Sequence, residues 1–389
     1  MSGTERTAII AGGGLAGLTA AVALRLRGWD VTVFERSRSP REVGAGLFLH
    51  ENAIRVLEAC GVYDGIRAGV HPAPGKEIRA EGNQFVSITR IEQRAGTRLV
   101  IVLRPTLHRA LADRAQGLGV GIECNVEVAS AAAAGEVVLA DGTRRSADLI
   151  VGADGVNSRV RDSLGLLGRR VDMSEGSIRV LVPRLPADLD DPMDSFSREF
   201  WNGPRRIIYT PAGPDDLYMA LATSVDDEEG RHVPVKVDEW TRSFPALAPF
   251  LGRINDSTPA RWDRFSVVRT PRWSSGRVVI LGDAAHSMPP NIGQGACLAM
   301  CDGFALAASL EGQTDVPAAL RLWEGRQRPI VDHAQRCSNT WSQIVTRWPK
   351  VARRSRPAAL RAATRNRWVR RQVERASRTL PYGLDGDRG

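Results

Sequence analysis

Thr7-Ala8-Ile9-Ile10-Ala11-Gly12-Gly13-Gly14-Leu15-Ala16-Gly17 is a short apolar run that breaks into glycines spaced G-x-G-x-x-G, and an Ala/Leu-rich stretch from Leu18 to Arg27 follows it. Five apolar residues bounded by a turn predict a buried strand, and the stretch after the turn predicts a helix. Gly12 permits the tight turn, Gly14 lets a pyrophosphate approach the backbone, and Gly17 lets helix pack on strand. The helix N-terminal amides then meet the phosphate charge. Asp30 to Phe34 supplies a second strand, and Glu35 ends it with a carboxylate suited to a ribose diol. A lone glycine motif is weak, but strand, turn, helix, strand and acid in register predict a Rossmann-type α/β dinucleotide domain.

That unit does not choose between a nicotinamide and a flavin dinucleotide. Two later segments bear on the choice. Leu149-Ile150-Val151-Gly152-Ala153-Asp154-Gly155 is an apolar strand entering a turn, and Val156 to Arg161 opens a helix. Val278 to Leu281 is another strand, ending in Gly282-Asp283-Ala284-Ala285-His286; Pro289, Pro290 and the Gly293-Gln294-Gly295 turn lead into a small-residue helix from Ala296 to Leu310. Asp154 and Asp283 each fall at a strand's carboxyl end, where open α/β sheets hold their ligands.

Together these segments resemble the class A FAD-dependent aromatic hydroxylases, the superfamily of para-hydroxybenzoate and salicylate hydroxylases. The resemblance implies FAD as cofactor and NADH or NADPH as a transient co-substrate that docks without a second nucleotide domain. It assigns the ribityl chain to Asp283 and the flavin pyrimidine edge to Gly293, Gly295 and Ala296, and it puts contacts to both FAD and NAD(P)H around Asp154. Arg104, in Leu103-Arg104-Pro105-Thr106-Leu107-His108, matches the family arginine near the phosphates; Ala16, Arg36 and Val128 complete the expected cofactor contacts. The runs AGGGLAGLTAAVALRLRGWDV, VGAGLFLHENAIRVLE, ADLIVGADGVNSRVRDSLG and IRVLVPRLP resemble the 2-methyl-3-hydroxypyridine-5-carboxylate oxygenase branch of that family. That likeness implies oxygenation of a small aromatic or N-heteroaromatic carboxylate through a C4a-hydroperoxyflavin, with ring opening left open. A reductase or epoxidase of the same fold acting on a non-aromatic substrate is the alternative. The W-x-W-x-I-P signature of flavin halogenases is absent from the sequence.

For the substrate end, Arg205 to Pro211 and Leu217 to Thr223 alternate on either side of the turn cluster Ala212-Gly213-Pro214-Asp215-Asp216 and predict a hairpin. Symmetric pairing about Pro214 opposes residues 210 to 218 and 206 to 222, all four on one face. The resemblance makes Arg206 and Tyr218 the grip on carboxylate or ring, adds Arg179 from the strand Ile178–Val182, and puts Phe48 and Lys76 where that branch is expected to carry tyrosines. Alternation alone favours Arg206 paired to a surface acid and Tyr218 merely packed. His50, beside Gly44-Ala45-Gly46, and Pro290 are the candidate catalytic positions; His50 either polarises a phenol or ring nitrogen or is a packed neutral imidazole. His286 reads as a packed strand-end residue.

The expected organisation is a discontinuous FAD-binding domain at 1–75, 99–175 and 266–345, a mixed-sheet substrate domain at 76–98 and 176–265, and a basic helical tail at 346–389. Composition agrees with a folded enzyme: 389 residues, 43% hydrophobic and 25% charged, exclude a disordered or fibrous chain. The net charge of +9 raises the question of nucleic acid, yet residues 350–389 hold twelve basic and three acidic residues, so the body is neutral. No nucleic-acid motif accompanies the tail, which reads as a helix pair broken near Pro357 with Leu360, Trp368, Val369 and Val373 as its packing stripe. Five scattered cysteines suit free thiols, no zinc framework can be built from them, and no run reaches bilayer length, so a cytoplasmic protein without integral membrane association is expected; self-association stays open. Pro183 to Asp194 reads as a mobile loop in which Asp190, Asp191 and Asp194 are solvated rather than metal ligands.

Overall fold

Thr7–Ala11 lies inside a six-stranded sheet of order Ser274–Ser275, Val278–Ile280, Leu149–Gly152, Thr7–Ala11, Asp30–Glu35, Gly121–Cys124. All neighbours run parallel except the first pair, and Ile10 sits between Val151 and Val33. The computed structural model describes residues 6–38, 46–90, 97–191, 194–346, 348, 351 and 355–384. Parallel strands buried on both faces read as continuous apolar runs, as the central Thr7–Ala11, Leu149–Gly152 and Val278–Ile280 do. The helix Leu15–Arg25 follows the glycine turn, and its residues 17–24 are all buried because it is sandwiched between that sheet and the helix Gly295–Leu310.

The second layer is a seven-stranded sheet of order Trp262–Arg269, Arg169–Pro183, Asp216–Ser224, Arg205–Pro211, Ser197–Asn202, Gly75–Ala80, Gln84–Arg90. The fold is therefore mixed α/β, with a helical C-terminus, as expected. Alternation sorts the sheet's two faces. Ile178, Val180, Ile207, Tyr209, Leu217, Met219 and Leu221 pack outward against Trp240, Leu247 and Leu251, each such buried aliphatic side chain stabilising the fold by about 1.5–3 kcal/mol. The opposite face, carrying Ile208, Tyr218 and Ala220, meets Phe48, Ile101 and Leu103 of a small antiparallel sheet, Gly46–His50 with Leu99–Leu103 and His71–Pro72. The predicted hairpin has the predicted register: Thr210 opposes Tyr218 and Arg206 opposes Ala222. Strands Arg169–Pro183 and Trp262–Arg269 run across the expected boundaries at 175 and 265.

Two expectations are corrected. The tail forms helices Arg356–Arg365 and Arg367–Arg378, but the break is at Asn366, whose side chain caps the second helix by accepting from Trp368 N and Val369 N; Pro357 sits in the first turn, where its missing N–H costs nothing. Leu360 is buried, whereas Trp368 is 69% exposed, so the packing stripe uses Leu360 and Ala376 instead. In the acidic stretch Asp190 and Asp191 are exposed as expected, Asp191 paired with Arg198, but Asp194 is buried and paired with Arg184, and Arg253 grips the neighbouring Asp188 at 2.6 and 2.7 Å. Among the described residues no helix is long and apolar enough to cross a membrane.

Candidate functional site

The dinucleotide end is built by the backbone. Gly12 has φ +106°, and a Cβ there would lie 2.4 Å from the Ala153 carbonyl oxygen, so strand Leu149–Gly152 can close on the turn only past glycine. A Cβ at Gly17 would lie 2.0 Å from Gly12 O. Glu35 braces the loop: one carboxylate oxygen accepts from Gly13 N at 2.7 Å and the other from Ser37 N at 2.8 Å. Gly12, Gly14, Glu35, Arg36, Val128 and Asp154 line one cavity of about 210 Å³. Asp154 uses Oδ2 to accept from Arg159 N and Val160 N, while its Oδ1 is buried with no partner. An orphaned buried acceptor beside a glycine cradle fits a hydroxyl or amide of a bound dinucleotide.

The late motif joins this end to the ring end. Gly282 turns with φ +59° against Ala16 and Ala299, placing Asp283, exposed, at the start of the short helix Asp283–His286 over the first helix's N-terminus. Arg161, 1% exposed, donates to Val156 O and to Ala284 O, tying the middle motif to the late one. Pro290 begins a single turn to Ile292, and the Pro290 carbonyl accepts from Gly293 N. A Cβ on Gly293 would lie 3.4 Å from both His50 Nε2 and Phe48 Cβ, and Cys297, following Gly295 and Ala296, donates its thiol to Phe48 O at 3.3 Å. Gly44 and Ala45 of the expected turn lie outside the described residues. His50 is partly buried, and burial pushes its imidazole down to about 4, which keeps it neutral near pH 7. Arg104 opens the helix after strand Leu99–Leu103, and its charge reaches Tyr218.

Tyr218 packs on Gly46, where a Cβ would meet its ring at 2.8 Å. Burial pushes the phenol up, partly offset by the charge and hydrogen bond of Arg179, which itself pairs with Asp263 at 3.1 Å. Arg206 is where the expectation and the structure part. It is 3% exposed and its partner is not a surface acid: Nη1 donates to the buried Glu199 at 3.2 Å, and Nη2 to Asn291 Oδ1 at 2.8 Å, bridging the sheet to the turn before Gly293.

Several site residues escaped the sequence reading. Glu199 occupies an inward position of Ser197–Asn202, and the period-2 pattern of that strand was signal enough to find it. His108 Nε2 lies 2.7 Å from Gly13 O, holding the glycine loop from below. Asn52 donates to Gln294 Oε1 and to Ala376 O, so the tail's second helix docks beside the flavin turn. His286 is packed as expected, with Asp302 as partner.

A glycine cradle, paired strand-end aspartates and an apolar cluster roofed by a second sheet define an FAD-dependent monooxygenase of the aromatic-hydroxylase class. The chain belongs to the FAD binding domain family, matched over residues 5–322, and FAD is its cofactor. It is 37% identical over 349 residues, 88% of this chain and 92% of that one, to the 2-heptyl-3-hydroxy-4(1H)-quinolone synthase of Mycobacteroides abscessus. It is 30% identical over 375 residues, 88% and 93% of the two chains, to the 6-hydroxynicotinate 3-monooxygenase of Bordetella bronchiseptica. Its fold matches a tetrameric form of 2-methyl-3-hydroxypyridine-5-carboxylic acid oxygenase with a TM-score of 0.86 at 37% identity, covering 97% of each chain.

Proposed function

We propose that the protein consumes NAD(P)H and O2 to oxygenate an electron-rich N-heteroaromatic or hydroxyaromatic ring bound between the seven-stranded sheet and the Pro290–Gly295 turn. The observation that carries this reading is that Tyr218 of the roof packs on Gly46 and shares an apolar cluster with Phe48 of the floor, while Phe48 and His50 reach the Gly293 turn. Bound FAD supplies acceptance of the nicotinamide's hydride and the activation of oxygen. The chain's own residues do the rest. Asp154, Asp283 and the glycine turn hold the dinucleotide; Phe48, Ile101, Leu103 and Ile208 keep the chamber apolar and exclude water. Tyr218, with its phenol held protonated by burial, offers a hydrogen bond to the ring's polar edge, and Arg179 and Arg206 orient that edge.

The names of the relatives, a quinolone synthase, a hydroxynicotinate monooxygenase and a pyridine-carboxylate oxygenase, support a ring containing nitrogen. Hydroxylation is the simplest outcome; ring opening is a further step for the product analysis to find. We take the six-stranded sheet with its helices as the FAD-binding domain, the seven-stranded sheet as the substrate domain, and a homo-oligomer working in the cytoplasm as the functional form, in keeping with five free cysteines. The test is to screen 4-quinolones, hydroxypyridines and hydroxybenzoates for stimulated NADH or NADPH oxidation under labelled oxygen. One labelled oxygen atom in the product is expected; NAD(P)H oxidation that never places oxygen in any ring overturns the reading.

A further inference from the structure

Each cation that the roof turns toward the ring end already touches a carboxylate, and Arg206 and Lys76 share one. Arg179 pairs with Asp263 at 3.1 Å, Arg206 with Glu199 at 3.2 Å, and Lys76 with the same Glu199. Strand register makes this arrangement compulsory: Glu199 opposes Ile208 on one side and Ile78 on the other, so Arg206 and Lys76 reach it from the flanking strands on the same face. Glu199 is 1% exposed and also accepts Trp201 Nε1 at 2.8 Å. Burial alone would push its carboxyl up, but Lys76 and Arg206 outweigh burial and hold it at about 2, so it is ionised at any working pH. The remaining acid near Arg206 is Glu175, which burial pushes up and Ser342 caps.

An incoming carboxylate would have to compete with Glu199 for Arg206 and would set a second buried anion beside it, which is the expensive way to bind. Among the donors Arg206 still offers is its Nε–H, buried with no acceptor. That donor suits a neutral oxygen. We propose that Glu199 makes the ring site selective for uncharged N-heteroaromatic rings, by holding the charge of Arg206 and leaving its Nε–H for a ring carbonyl or hydroxyl. Glu199 is thus the specificity-determining residue, and the carboxylate-gripping role expected of Arg206 is suppressed. This rests on the ring-oxygenating reading above.

A matched pair of probes tests it: 4(1H)-quinolone and 4-oxo-1,4-dihydroquinoline-6-carboxylate, titrated into the oxidised holoenzyme without NAD(P)H and followed by the flavin absorbance. The wild type should bind the neutral ring at least about tenfold tighter, and Glu199→Gln should narrow or reverse that ratio by about tenfold while FAD content holds. Should Glu199→Gln fail to fold with FAD, Lys76→Met decides. Its side chain is 34% exposed, and its loss should widen the preference by weakening carboxylate binding further. An unchanged ratio in the folded variant, a wild type that prefers the carboxylate, or no flavin response to either ring overturns the proposal. Preferred binding of the neutral ring without oxygen uptake on adding NAD(P)H would instead sink the oxygenase reading and leave the selectivity standing.

Discussion

His286 Nε2 lies 2.5 Å from Asp302 Oδ2 with both side chains buried, joining the Gly-Asp turn at Asp283 to the middle of the helix that starts at Gly295. Trp273 packs on the imidazole, and Trp323 donates to the Asp302 carbonyl. The two segments are therefore joined by a buried ionic hydrogen bond. Replacing Asp302 by Asn leaves a buried imidazole without its counter-charge and should cost on the order of 3 kcal/mol. The denaturant midpoint of the FAD-loaded protein measures it, and a change below about 0.5 kcal/mol would show the pair to be idle.

Stability should peak near neutral pH because two histidines pull in opposite directions. Burial would lower the His286 pKa, but the Asp302 charge and hydrogen bond carry it above its ordinary value. Its contribution is then complete below the unfolded value of about 6.5 and lost as pH rises through the raised one. His50, pushed down to about 4 by burial, contributes fully above about 6.5 and loses that contribution as pH falls toward its folded value. Urea midpoints taken across pH should show His286→Gln flattening the alkaline limb and His50→Gln the acidic limb. The reverse assignment, or no change in either limb, contradicts this account.

Asp283→Ala should weaken FAD retention without unfolding the chain, since Asp283 is exposed and its side chain makes no hydrogen bond among the described residues that its removal would strand. Loss of a charged acceptor costs about 1.5–3 kcal/mol of binding, tenfold or more in Kd. Asp154→Ala should do both kinds of damage, because Asp154 also caps the backbone at Arg159 and Val160, which is worth about 1 kcal/mol. Flavin fluorescence titration and thermal unfolding of the apoprotein separate the two effects.

Gly14 and Gly17 should fail in different ways. A Cβ on Gly14 meets nothing within 4 Å, so Gly14→Ala should fold normally and lose FAD affinity by about tenfold or more if the pyrophosphate lies against it. A Cβ on Gly17 falls on the Gly12 carbonyl, so Gly17→Ala should destabilise the apoprotein itself by about 1–3 kcal/mol or more. Equal unfolding midpoints for the two variants would refute the distinction.

How far the sequence could be read follows from the range of the interaction. The glycine turn, Glu35, Asp154 and Asp283 were legible because a strand-turn-helix unit carries its chemistry within a few residues. The hairpin register, Thr210 to Tyr218 and Arg206 to Ala222, was legible for the same reason: a five-residue turn and a period of two leave one pairing. The tail break was misread because Pro357 is a strong local signal that is harmless in a first helical turn, while Asn366 acts through a cap that only the folded backbone displays.

The sequence by itself determined the dinucleotide unit, the α/β architecture and which hairpin residues share a face, since periodicity and turn chemistry are local; the flavin came from the family resemblance. Only the tertiary structure decided the charge of the ring site. Glu199 meets Lys76 because strand Ser197–Asn202 pairs in parallel with Gly75–Ala80 from far earlier in the chain, and Arg206 meets Asn291 across the gap between two layers. No periodicity encodes which cation a buried carboxylate will find. Desolvation compels it to find one, and the fold supplies the candidates.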